Sequence, residues 1–174
     1  MKLASYHGTH AGIMGLGNIL IRLRLSGLYS HSEVMFEPGD GVDDLMPDGT
    51  TEPVDGAFWC VSSVGLERLP ASSRRRAGHL GGVRFKRVVP DPTRWTLNPI
   101  PGASPLQAAA MAQFMEGDLY DWQLILGGFA WFIPQKVGRV MCSELCATIL
   151  GLPDAWRFDP CVLRATVRRL LYAS

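Results

Sequence analysis

Two spacings of apolar residues run through this chain, and the places where one gives way to the other mark the boundaries of its elements. Leu3 to Tyr6 reads as a short strand. After a turn at Gly8 to Gly12, Ile13, Leu16, Leu20 and Leu23 recur at three- and four-residue steps, the spacing of one helix face, and Gly27 ends the run. Ser32 to Phe36 predicts a strand, halted by Pro38-Gly39-Asp40-Gly41. Residues 40–56 are acidic and turn-rich and are expected to be an exposed loop. Ala57 to Val64 is rich in strand formers, and Leu66 to Gly78 is polar enough to predict a loop. In Gly82 to Val89 the apolar Val83, Phe85 and Val88 alternate loosely with Arg84, Lys86 and Arg87, as in an antiparallel strand.

The second half is helical in pattern. Ser104 and Pro105 form a helix start, with Ser at the N-cap and Pro at the first helical position. Ala108, Met111, Ala112 and Met115 then fall on one face, and Gly117 closes the helix. A strand-like run gives way at Cys142 to a helix reaching about Leu150, where Gly151 and Pro153 stop it. Asp159-Pro160 opens a last helix, with Leu163, Val167 and Leu170 expected to face inward. Together these elements predict an α+β fold, a small antiparallel β-sheet packed with helices. One domain over residues 1–174 is expected, a length that buries roughly 70% of the unfolded surface.

Charge and cysteine content narrow the functional classes. The formal net charge is +1, so no overall field draws the chain to nucleic acid or an anionic membrane. Arg74-Arg75-Arg76, the only dense basic run, sits among small residues and reads as a solvated loop. Cys60, Cys142, Cys146 and Cys161 follow no zinc spacing, and a chain of this size needs no disulfide staples. All four are expected to be reduced thiols, and neither a metal nor a cofactor is called for. The first residues lack the apolar core of a signal peptide, and the longest apolar run, Leu124 to Ile133, is ten residues with two glycines, too short to span a bilayer. A protein soluble in the cytoplasm as synthesised is therefore expected.

Two segments carry candidate chemistry. Cys142 lies where a helix begins, facing unpaired backbone N–H groups and the positive end of the macrodipole, which favour a thiolate. His31 opens an alternating segment far upstream. A thiol on a helix and an imidazole on a strand are the two parts a cysteine nucleophile needs. Cys60, Cys146 and Cys161 read as small core hydrophobes, Glu144 as a first-turn carboxylate suited to the dipole, and His7, His10 and His79 as solvated loop residues. Gly127 to Ile133 reads as core.

Four stretches, in order, resemble the permuted branch of the NlpC superfamily of papain-like cysteine peptidases, the YiiX-like group. Gly17 to His31 (GNILIRLRLSGLYSH) is similar to that group's helix and histidine strand. Gly82-Val83-Arg84-Phe85 is similar to its later strand, Gly117-Asp118-Leu119-Tyr120-Asp121 to its tyrosine–aspartate element, and Met141 to Leu145 to its nucleophile helix. The likeness covers about residues 3–150, and the wider combination looks like a set of small proteins of tailed bacteriophages. It implies a circularly permuted papain-like fold, with histidine before cysteine, Cys142 as nucleophile and His31 as base, the two becoming side-chain neighbours across a strand–helix interface. Tyr120 and Asp121, with Trp122, either line the substrate cleft or cap and pack the preceding helix.

A third group, a Glu on the strand after the histidine strand, is what the resemblance also implies. Here that strand reads Phe58-Trp59-Cys60-Val61-Ser62-Ser63 and holds no carboxylate. Ser62 is the nearest positional match, and Glu33, two residues beyond His31 on the same strand face, is the other candidate. The implied activity is a thiol hydrolase cleaving an amide, in peptidoglycan peptides, slow or dependent on a partner surface. A lipid acyl-thioester transferase or hydrolase, and a non-catalytic component of a phage particle with a degraded triad, are the alternatives. Implied partners are a peptidoglycan peptide or another amide substrate and other phage particle proteins, with no nucleic acid and no membrane span.

Overall fold

A computed structural model describes residues 1–9, 18–19, 21–23, 26–121 and 138–173. The fold is α+β. Five strands, β1 (Lys2–Tyr6), β2 (His31–Met35), β3 (Phe58–Arg68), β4 (Leu80–Val88) and β5 (Trp95–Pro99), form one antiparallel sheet in the order β4-β3-β2-β1-β5. Helices α1 (Pro105–Met115), α2 (Cys142–Ile149) and α3 (Pro160–Ala173) follow, and two short strands, β6 (Leu119–Tyr120) and β7 (Arg139–Val140), pair in parallel.

Alternation decides which face of the sheet meets the helices. Leu3, Val34, Val61, Val83 and Phe85 point to one face and join a continuous core with Ala108, Ala109 and Ala112 of α1, Leu145, Ala147 and Ile149 of α2, and Leu163 and Val167 of α3. Burial of each large side chain there contributes about 1.5–3 kcal/mol. Residues 18–19 and 21–23 are helical, as the spacing predicts, with Leu23 exposed. Ile13, Leu16, Leu20, Trp122, His10 and the run Gly127 to Ile133 lie outside the described residues. No helix among the described residues is long and apolar enough to cross a membrane.

Several expectations need correction. Strand β3 continues through Arg68, into the segment expected to be loop, because its ladder with β4 resumes beyond an irregularity to pair Arg68 with Leu80. Strand β5 carries no clear alternation, yet it pairs residue for residue with β1 and extends the sheet by one strand. The acidic segment 40–56 is not wholly exposed. A 3-10 turn at Asp43–Leu45 brings Val42 and Met46 into the core, and Asp43 Oδ1 ties down Thr51 through its amide (2.6 Å) and hydroxyl (2.7 Å). On α1 the buried face is Ala108, Ala109 and Ala112 rather than Met111, which is 40% exposed, because small residues bring this helix close to its neighbours. Leu170 is 41% exposed, one turn beyond the last core contact of α3 at Val167.

Candidate active site

Cys142 is the first residue of α2, and a short series of contacts puts it there. Strand β7 is hung on β3 by Ser63, whose Oγ donates to the Val140 carbonyl at 2.7 Å. Met141 is extended, its amide is capped by Glu144 Oε2 at 3.2 Å, and the helix begins at the next residue. Glu144 thus serves its own helix start. Its carboxyl is raised by burial and, beyond that, by nearby Asp121, against the capping Met141 amide.

The β2–β3 ladder pairs Val34 with Val61 and Met35 with Cys60. Towards His31, Ser62 Oγ bonds the Ser32 carbonyl at 2.7 Å, and the Ser32 amide faces the Cys142 sulfur instead. The sulfur therefore meets two backbone donors, Ser32 from the sheet and Ser143 from the first turn of α2. Burial alone would raise this thiol. The facing His31 imidazolium, through charge and a hydrogen bond, and then the two amides outweigh burial, and the Cys142 pKa is lowered.

His31 opens β2 with 21% of its side chain exposed. Burial lowers its pKa, but the Cys142 sulfur and then Glu33 overcome that and carry it up to about 10. Nε2 lies 3.0 Å from Glu33 Oε1 and 3.2 Å from Ser62 Oγ. Ser62 spends its single hydrogen on the Ser32 carbonyl, so towards His31 it accepts. Both neighbours of Nε2 are then acceptors, which assigns the hydrogen to Nε2 and leaves Nδ1 for the sulfur. The Trp95 ring stands edge-on to the imidazole, centroids 6.4 Å apart.

The carboxylate at the imidazole thus comes from the histidine's own strand, with a hydroxyl from the next. Glu33 is 2% exposed. Burial raises it, yet the Arg84 guanidinium and His31 bring it down to about 2. Arg84 was given no role by the sequence beyond its place in an alternating strand. It alternates with Val83 and Phe85 as a solvated position would, but it is 3% exposed and bonds Glu33 Oε1 through Nη2 at 3.0 Å. The β3–β4 register sets Arg84 opposite Ser62, and Glu33 and Glu67 share its face.

Tyr120 and Asp121 arrive from the other side. The backbone of 117–119 docks on β4 and on the turn before β7: the Val83 amide bonds the Asp118 carbonyl (2.9 Å), the Gly117 amide bonds the Val83 carbonyl (3.0 Å), and the Leu119 amide bonds the Gly138 carbonyl (2.9 Å). Tyr120 stands beside Cys142, and burial, then the charges of Cys142 and Asp121, push its phenol well up. Asp121 is 2% exposed. Cys60 and Cys146 are buried with their thiols pushed well up by burial, whereas Cys161 is partly exposed and donates to the Tyr29 carbonyl at 3.6 Å. His7 packs edge-on to Tyr29, and His79 is exposed. The Arg74-Arg75-Arg76 run folds back over the turn at Gly117. Among the described residues no three His, Cys, Asp or Glu side chains converge as ligands for a metal ion.

The chain matches no protein-family model, no curated protein and no solved structure.

Proposed function

We propose that the protein is a thiol hydrolase cleaving an amide bond, with Cys142 as nucleophile and His31 as its acid–base partner. The observation that carries the reading is the hydrogen-bonded Cys142–His31 contact at the start of α2, which lowers the thiol and raises the imidazole, with Nε2 of the imidazole held by Glu33 and Ser62. The Cys142 thiolate adds to the substrate carbonyl, and the Cys142 amide, in the first turn of α2, is placed to donate to the developing oxyanion. His31 gives its Nδ1 proton to the departing amine as the C–N bond breaks. The thioester is resolved by a water from which His31, now neutral, takes a proton, and the cleaved thiolate leaves the pair as it began. Peptidoglycan stem peptides as substrate, a permuted papain-like topology and a place in a phage particle rest on the sequence resemblance.

Alkylation with iodoacetamide between pH 5.5 and 8, read by peptide mass spectrometry, tests the pair. Cys142 is expected to react first at the acidic end, ahead of Cys60, Cys146 and Cys161. His31→Ala should lose that preference and lower amide turnover on peptidoglycan fragments by about 10²–10⁴-fold. Equal labelling of all four thiols, or turnover that survives Cys142→Ala, would overturn the assignment.

A further inference from the structure

Behind His31 the charged residues alternate in sign across the sheet. Glu33 Oε1 takes hydrogen bonds from both His31 Nε2 and Arg84 Nη2, each at 3.0 Å. Arg84 Nη2 also reaches Glu67 Oε2 at 3.3 Å, and Glu67 pairs outward with Lys86. The arrangement is not the one that stability alone would select. Among the described residues Arg84 Nε and Arg84 Nη1 are buried without a hydrogen-bond partner, and beyond the Arg84 and His31 contacts at Oε1 the Glu33 carboxylate has the Cys60 thiol beside it, although a two-pronged Arg–Glu pair would satisfy more of these groups. Arg84 instead sends one nitrogen to the carboxylate oxygen that holds the imidazole.

From this geometry, and resting on the Cys142–His31 reading above, we propose that Arg84 is a positioning residue whose charge neutralises Glu33, so that the carboxylate orients His31 as a neutral acceptor would. A bare carboxylate buried here would leave the thiolate, imidazolium and carboxylate with a net negative charge. The group would recover neutrality by taking up a proton, and the thiolate would be lost. With Arg84 present the four groups sum to zero while the sulfur stays ionised.

Glu144, two residues along α2 from Cys142 with its carboxyl raised by burial, and the buried Asp121 beside Tyr120 are common to wild type and the Glu33 and Arg84 variants, so they do not distinguish the acid limbs of their labelling. Cys60 on β3, Cys146 on α2 and Tyr120 on β6 are held neutral by burial. Glu67 is held ionised by Arg84 and Lys86 against its burial.

The test is the pH dependence of Cys142 alkylation in the full chain, measured for four variants beside wild type. Arg84→Met removes a positive charge, so the acid limb should rise by about one pH unit, which is about tenfold less labelling at any pH below both limbs. Glu33→Gln removes a negative charge and should move the limb the other way. The double variant, Glu33→Gln with Arg84→Met, sets a neutral amide beside the imidazole and should return the limb to its wild-type place. Arg84→Lys keeps the charge and should hold the limb where it was.

A purely structural role predicts instead that damage accumulates in the double variant and that lysine does not rescue. Either result overturns the inference, as does an unmoved limb in Arg84→Met. If Arg84→Met does not fold, the double and lysine variants decide by the same outcomes. Absence of a low-pH labelling preference for Cys142 in wild type would overturn the hydrolase reading itself, a different result from any of these.

Discussion

His31 Nε2 has two acceptors of unequal strength, and their difference is measurable. The Glu33 carboxylate is charged, and a hydrogen bond to it is worth about 1.5–3 kcal/mol, against about 0.5–1.5 kcal/mol for the neutral Ser62 hydroxyl. Ser62→Ala is therefore expected to lower kcat/KM by less than about tenfold, and Glu33→Ala by about 10²-fold. Equal losses would mean that another group orients the ring. Glu33 also makes stability depend on pH. Its folded pKa of about 2 lies below its ordinary 4.5, so the stabilisation is present above pH 4.5 and is lost as pH falls toward 2. Between pH 6 and pH 3 the wild type should lose about 2 kcal/mol relative to Glu33→Gln in urea unfolding. Parallel pH curves would contradict a buried, ionised Glu33. The Cys142–His31 pair behaves differently. Between the ordinary values of His, 6.5, and Cys, 9.0, the folded pair and the unfolded chain each hold one proton, so the pair adds no pH dependence there.

At the scale of elements, the site depends on irregular pieces docked onto regular ones. Gly82 has φ +131° and a Cβ added to it would lie 2.6 Å from the Asp118 carbonyl oxygen, so the segment carrying Tyr120 approaches β4 only because that position has no side chain. Gly39 also has a positive φ, +88°, but nothing lies within 4 Å of its would-be Cβ. Gly39→Ala should cost about 1 kcal/mol of backbone strain. Gly82→Ala should cost about 2–4 kcal/mol, because clash is added to strain, and should change Cys142 reactivity through the displaced Tyr120. Equal melting temperatures for the two variants would show that the 117–121 segment does not rest on Gly82. Helix α2 was legible because a helix start is written locally, in a strand-like run, a first-turn Glu and a closing Gly-x-Pro. Strand β5 was not, because none of its five residues is fully buried and its identity comes from pairing with β1.

For the whole molecule, sheet order places the first strand in the interior. Strand β1 pairs with β2 on one side and β5 on the other, although about ninety residues of sequence separate β1 from β5. Leu3 and Val34, opposite each other and fully buried, lie at its centre. Their amides should exchange hydrogen only through global unfolding, whereas amides of residues 70–79 and of the sheet edge β5 exchange by local opening. Fast exchange at Leu3 with slow exchange in β5 would contradict this strand order.

What the sequence alone determined about this protein is what short-range chemistry controls. Alternation named β2 and the core of β4, caps and breakers named the helices, and one position put a thiol at a helix start and an imidazole at a strand start. Tertiary structure decided the rest. The same alternation that marks Arg84 as polar is compatible with a solvated face or a buried one, and only the β3–β4 register, with Glu33 and Glu67 on that face, makes it buried. Ser62 and Glu33 were both open as the group behind His31; the pairing of β2 with β3 brings both to Nε2. Side-chain period is readable from neighbours in sequence, but whether a face is wet or dry depends on which distant strand lies beside it, and that is settled only when the sheet assembles.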